Sequence, residues 1–121
     1  MTRFLILMAE PDHFARWNAS GDAEHERVLA EFRAFTAAVR ERGRFLAGEA
    51  LAHPRDARTL RPDGDGRRLT EGPYAETVEQ LGGFYLVELP ELATALELAA
   101  LLPREYDVEV RECLDVGAPD E

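Results

Sequence analysis

The sequence predicts an α+β domain: a ferredoxin-like β-α-β-β-α-β subunit with an extra hairpin. Three observations point there. Two segments, "TRFLILMA" (2–9) and "GFYLVEL" (83–89), are apolar on both faces, as central strands are. Two other segments carry apolar residues at helical spacing. Right-handed crossovers between the strands then put both helices on one face of an antiparallel sheet. The chain has 121 residues, which suits a single domain over 1–121 with a real core.

Taken in order, Phe4, Ile6 and Met8 lie on one face of the first strand, and Leu5 and Leu7 on the other. Residues 10–22 read as a polar loop with Trp17 as an anchor. Ala23–Arg42 reads as a long helix, because Val28, Phe32, Phe35 and Val39 form one stripe. Asp22 suits its N-cap, and Arg40, Arg42 and Gly43 suit its C-terminus. "RFLAGEALA" (44–52) is a second strand. "ARTLR" (57–61) and "GRRLTE" (66–71) flank "PDGD" and read as a hairpin. After the strand at 83–89, Glu91–Leu102 reads as a helix with Leu92, Leu96 and Ala99 as its stripe and Leu98 and Leu102 beside it. Pro103 ends it, and "YDVEVREC" (106–113) is the last strand.

Two helices cover one face of such a sheet. The other face carries either Phe4, Ile6 and Met8 or Leu5 and Leu7, and a large apolar patch does not stay wet. A second subunit is the simplest cover, so the sequence predicts a homodimer packed sheet to sheet, with any pocket between that sheet and its loops.

Hydrophobic residues make up 45% and charged ones 31%, an ordinary globular balance, and the net charge is −10. That charge argues against nucleic acid, whose phosphates need clustered cations, and against an anionic membrane surface. Cys113 is the single cysteine, so neither an intrachain disulfide nor a Cys-based zinc site is expected. His13 and His53 follow no metal-ligand spacing, and no metal or cofactor is expected. The apolar run Phe4–Ala9 is too short for a signal-peptide core, and a cytoplasmic location is expected.

The most patterned stretch is "TEGPYAETVEQLGGFYLVEL" (70–89). Thr77-Val78-Glu79-Gln80 fits a capping box, Gly82-Gly83 releases the chain into a strand, and Gly72-Pro73 makes a stiff turn. A single capped helical turn explains these residues without chemistry. It leaves Glu71, Tyr74 and Glu76 to a loop aimed at a cavity.

"EGPYAETVEQLGGFYLVE", with "FLAGEAL", "ARTLR" and "VEVREC", resembles the YCII-related family, in its branch named for an Asp-Gly-Pro-Phe motif. The resemblance covers nearly the whole chain and implies a dimeric α+β barrel. Some relatives in the wider superfamily are lyases, including a dehydrochlorinase of a chlorinated aromatic. Members of the branch are often associated with extracytoplasmic-function sigma factors. Here Glu71 replaces the motif's Asp, Tyr74 its Phe, and Val78 a usual Lys. The family's helical histidine would fall near Phe32, about three turns before Gly43, so its role is not carried over to His25.

The expected catalytic residues are therefore Glu71 and Glu76, as carboxylates sharing a proton, with Glu49, in phase with Phe45, Ala47 and Leu51, as a reserve base. Tyr74, Arg55 and His25 are expected to bind the substrate. Against each stands a plainer reading: turn caps and solvated charges for the carboxylates, a rim hydrogen bond for Glu49, a packed helix-end histidine for His25, and a surface ion pair for Arg55. Two functions follow. One is a cofactor-free acid/base enzyme, a lyase or isomerase, acting on a small cyclic or aromatic molecule. The other is a non-catalytic ligand-binding or regulatory dimer working with an extracytoplasmic-function sigma factor.

Overall fold

The computed structural model describes residues 1–75 and 79–117. The chain runs β1 (Thr2–Pro11), α1 (His13–Ala19), α2 (Asp22–Arg42), β2 (Arg44–Ala50), β3 (Arg58–Asp63), β4 (Gly66–Glu71), β5 (Glu79–Leu89), α3 (Leu92–Ala99) and β6 (Asp107–Glu112). Four strands form one antiparallel sheet in the order β2-β5-β1-β6, and β3 and β4 form a separate hairpin. This is the ferredoxin-like α+β arrangement, with the two doubly apolar strands at its centre. No helix among the described residues is long and apolar enough to cross a membrane.

The alternation of β1 decides which face is covered. Phe4, Ile6 and Met8 are buried, packed with Phe35 and Val39 of α2, Val87 and Leu89 of β5, and Ala95 and Leu98 of α3. Leu5 and Leu7 lie on the other face, half-buried, opposite Leu86 and Phe84 of β5. The stripe predicted for α2 is the buried one, with Val28, Phe35 and Val39 inward and Phe32 against the core's edge.

Several expectations are corrected. Residues 13–19 form a helix, not a loop. Asp22 is the first helical residue of α2, where its charge suits the positive end of the helix dipole, and Gly21 is the N-cap. Gly43 does end α2, yet its backbone is extended and the need for glycine is steric. A Cβ there would lie 2.0 Å from the Glu88 carbonyl oxygen.

The strand β5 begins earlier than expected. Glu79 and Gln80 pair with Pro11 and Glu10, so neither belongs to a helical turn. Thr77, the proposed cap, lies outside the described residues. The Gly-Gly pair makes a β-bulge: Met8 faces Gly83 and Ala9 faces Leu81, which leaves Gly82 as the extra residue.

The buried face of α3 is rotated from the expected stripe: Ala99, with Leu98 and Leu102 beside it, is inward, but Leu92 and Leu96 are not. Ala95, Leu98 and Ala99 are buried, as is Leu102 just after the helix, whereas Leu92 and Leu96 are about half exposed. Ala95 lets the helix approach the sheet closely, which turns the larger Leu92 and Leu96 outward. Replacing Leu98 by Ala is expected to cost roughly 2–4 kcal/mol of unfolding free energy, and Leu96→Ala under about 0.5 kcal/mol, by urea denaturation. Equal costs would contradict this face assignment.

Candidate active site

The inward alternation of β1 does not stop at Met8. Two residues on, the same face carries Glu10, which is only 3 % exposed. An ionised carboxylate buried without partners is costly, so the local fold must supply donors. It does so through α1. Asp12, in the left-handed conformation, turns the chain into a helix that places His13 and Arg16 on one face, three residues apart. Nδ1 of His13 donates to Glu10 Oε1 at 2.7 Å. Arg16 grips the same carboxylate at both oxygens, Nε to Oε2 at 2.9 Å and Nη2 to Oε1 at 3.0 Å. Burial alone would push the carboxyl up. The hydrogen bonds from Arg16 and His13, with their charges, outweigh it and hold Glu10 below the usual carboxylate range.

The ionised carboxylate only accepts, so Nδ1 of His13 carries a proton, and in the neutral tautomer this leaves the ring's lone pair on Nε2. Nε2 has no hydrogen-bond partner among the described residues. Gly82 explains the space beside it, because a Cβ at that position would lie 2.7 Å from Nε2. The bulge in β5 therefore leaves this edge of the imidazole without a side chain against it.

His13 opens on a cavity of about 500 Å³ between α1, α2 and the ends of β2 and β5. Its walls include Phe14, Trp17, Phe32, Phe84, Tyr85 and Tyr106. Phe14 meets His13 edge-on at 4.6 Å, and the Tyr106 ring is 5.4 Å from the imidazole. Tyr106 is pushed up to about 12, by burial first and by the negative charge of Glu10 second. Burial also raises Tyr85. Both phenols therefore remain protonated near neutral pH.

The helix α1 is held by further contacts. Gln80 of β5 accepts a hydrogen bond from the Phe14 backbone N–H at 3.3 Å, satisfying one of the helix's free N-terminal donors. His25 stacks on Trp17 at 3.8 Å and its Nε2 donates to the Trp17 carbonyl at 2.9 Å. Beyond Arg16, Glu24 leads to Arg27, which also holds Glu31 and Glu105.

The residues singled out from sequence are spread around the molecule. Glu49 is exposed, opposite Phe84, on a strand end that borders the cavity. His25 supports the cavity wall through Trp17. Arg55 and Tyr74 border a second, broader hollow of about 1140 Å³, on the uncovered face of the sheet between Leu7, Ala9 and the loops around 51–57 and 72–75. Tyr74 is 81% exposed, and its carbonyl accepts a hydrogen bond from Arg61. Glu71 is exposed at the end of the hairpin, opposite Arg58. Glu76 lies outside the described residues. Glu10, His13, Arg16 and Tyr106 were not singled out as site residues by sequence reading. The available signal was that Glu10 continues the Phe4-Ile6-Met8 phase, with His13 and Arg16 following at steps of three. Among the described residues no group of three or more His, Cys, Asp or Glu side chains could hold a metal ion.

A family profile for the YCII-related domain matches residues 2–114. The chain belongs to the YCII-related family. It is also similar to an uncharacterised protein of Rhizobium meliloti (strain 1021), R00369, at 37% identity over 76 residues. That match covers 63% of this YCII-related chain and 61% of the relative's length.

The pH dependence of stability follows from Glu10. Its folded carboxyl is held low, so its stabilisation is complete above the unfolded value of about 4.3 and is lost as the pH falls through the lower folded value. Glu10→Gln is expected to destabilise the protein at pH 7 by roughly 1.5–3 kcal/mol and to flatten the loss of stability between neutral and acidic pH. Urea unfolding at pH 7 and at pH 3 tests both effects.

Proposed function

We propose that this YCII-related protein is a cofactor-free acid/base enzyme of the lyase or isomerase type, acting on a small cyclic or aromatic molecule in the His13 cavity. The observation that carries the reading is the buried Glu10 carboxylate. It holds the Nδ1 proton of His13 and leaves the Nε2 lone pair beside an aromatic-walled cavity. In this reading Nε2 removes a proton from the bound molecule. Glu10 stays ionised, fixes the tautomer and faces the imidazolium that forms, while Arg16 keeps the carboxylate oriented. In a lyase, loss of the proton is coupled to departure of a group from the neighbouring atom. In an isomerase, the imidazolium returns the proton at another atom. Glu49, on the strand that borders the cavity, is the reserve base.

The uncovered face of the sheet supports a homodimer within the same proposal. The cross-strand pairs Leu5–Leu86 and Leu7–Phe84 form its apolar centre. A second copy laid on it would also close the hollow bordered by Arg55 and Tyr74, giving these residues a place in binding a ligand.

Two measurements test this reading. Hydrogen–deuterium exchange of 2-indanone in D2O, followed by proton NMR, should be faster with the protein than in buffer. His13→Gln should reduce that acceleration by roughly 10²–10⁴-fold, and an equally fast His13→Gln variant would remove His13 from the chemistry. Sedimentation velocity at micromolar concentration should give about twice the 13.6 kDa chain, and Leu7→Arg should give the monomer.

A further inference from the structure

A base is half of a proton-transfer site. A carbon-bound proton leaves readily only when the electron pair left behind is taken up, most often by a carbonyl oxygen held by a hydrogen-bond donor. The cavity offers few such donors. Nδ1 of His13 is engaged by Glu10, and the Tyr85 hydroxyl interacts with Thr36. The Tyr106 hydroxyl has no hydrogen-bond partner among the described residues, and its ring stands beside the imidazole at 5.4 Å. No arginine lines the cavity among the described residues, so nothing there pairs with a carboxylate or phosphate on the ligand.

We propose that Tyr106 donates a hydrogen bond to the oxygen of the substrate, and that the substrate class is a small, uncharged, planar ketone or enone, an assignment that rests on the reading of His13 as base. The reaction step balances without a further reagent. Nε2 takes the proton from the carbon beside the carbonyl, the C–H electron pair becomes a C=C bond, and the carbonyl π pair moves to oxygen. There the Tyr106 O–H stabilises the developing charge without giving up its proton. The imidazolium then returns its proton to carbon or oxygen, and nothing is oxidised or reduced. Burial, together with the charge of Glu10, keeps the phenol protonated, as a donor must be. The aromatic walls favour a flat ligand, whose faces they stack against.

The test compares two probes that differ in a single oxygen function, 2-indanone and indane, by calorimetric or NMR titration. The wild-type protein should bind 2-indanone about tenfold more tightly than indane, the size expected for one hydrogen bond made in a site of low polarity. Tyr106→Phe should erase that preference while leaving the affinity for indane within about twofold, and should slow 2-indanone exchange by about 10²-fold. A preference that survives in Tyr106→Phe overturns the assignment, as does a wild-type protein that binds the two probes equally or binds neither. Should Tyr106→Phe fold poorly, 3-fluorotyrosine at position 106 takes its place. It is a stronger donor of nearly the same shape, so it must raise the affinity for 2-indanone, and an unchanged affinity counts against the proposal. The two readings fail separately. Loss of exchange in every form, with the oxygen preference still dependent on Tyr106, rejects His13 as base and keeps Tyr106. Exchange that depends on His13, with a preference indifferent to Tyr106, rejects Tyr106 alone.

Discussion

One buried charge organises one end of this molecule. The inward face of β1 presents an apolar row and then Glu10, and a carboxylate in that position is tolerable only when it is fully partnered. The partners come from the next seven residues, so the chain must turn sharply at Asp12 and coil at once into α1. Phe14 and Trp17 come with α1, and they become cavity walls. His13 and Arg16 come with it too, and they become the carboxylate's donors. The cavity, the orientation of the imidazole and the short helix thus share one electrostatic cause. Removal of the charge would take away the reason for each of them.

Much of the fold was legible in the sequence because its signals are redundant. Strands β1 and β5 are apolar on both faces, which marks them as central, and the Val28-Phe32-Phe35-Val39 stripe allows α2 only one orientation. The signal was weaker where local pattern and tertiary outcome part. The seven residues of α1 are too few to show a period, and Pro11-Asp12 before them looks like the start of a loop. In α3, leucines at 92, 96 and 98 spread around the helix and Glu97 is its one charge, so periodicity selects the face weakly, and the fit of Ala95 against the sheet decides it. The candidate site was less legible still. Glu10 falls in the stretch 10–22 that reads as a polar loop, and the residue that clears space beside His13 is Gly82, more than half the chain away. Between 70 and 89 the local pattern is strong, yet there the glycines serve a bulge, while Glu71 and Tyr74 sit on the surface.

The site combines two environments that are usually separate. The Glu10 cluster is strongly polar and nearly complete in its hydrogen bonds, so it adds rigidity and little reactivity of its own. The cavity beside it is apolar and aromatic, where a newly formed charge is poorly screened. His13 lies at the boundary, one nitrogen in each environment. Such a placement converts a static ion pair into a directional one, because a proton arriving at Nε2 places positive charge against a carboxylate already waiting there.

The β3–β4 hairpin bears on how the chain reaches its native state. Among the described residues its strands pair only with each other, through a two-residue turn at Gly64-Asp65, and it lies within the connection between β2 and β5. The main sheet must join segments from opposite ends of the sequence, and closure of long loops costs chain entropy. A hairpin closes locally and early, on a microsecond scale. Once formed, it draws residues 58 and 71 together and shortens the free chain between β2 and β5. The hairpin thus acts as a clip within the connection, bringing the ends of β2 and β5 closer along the chain than their sequence separation alone would, in a sheet to which it contributes no strand.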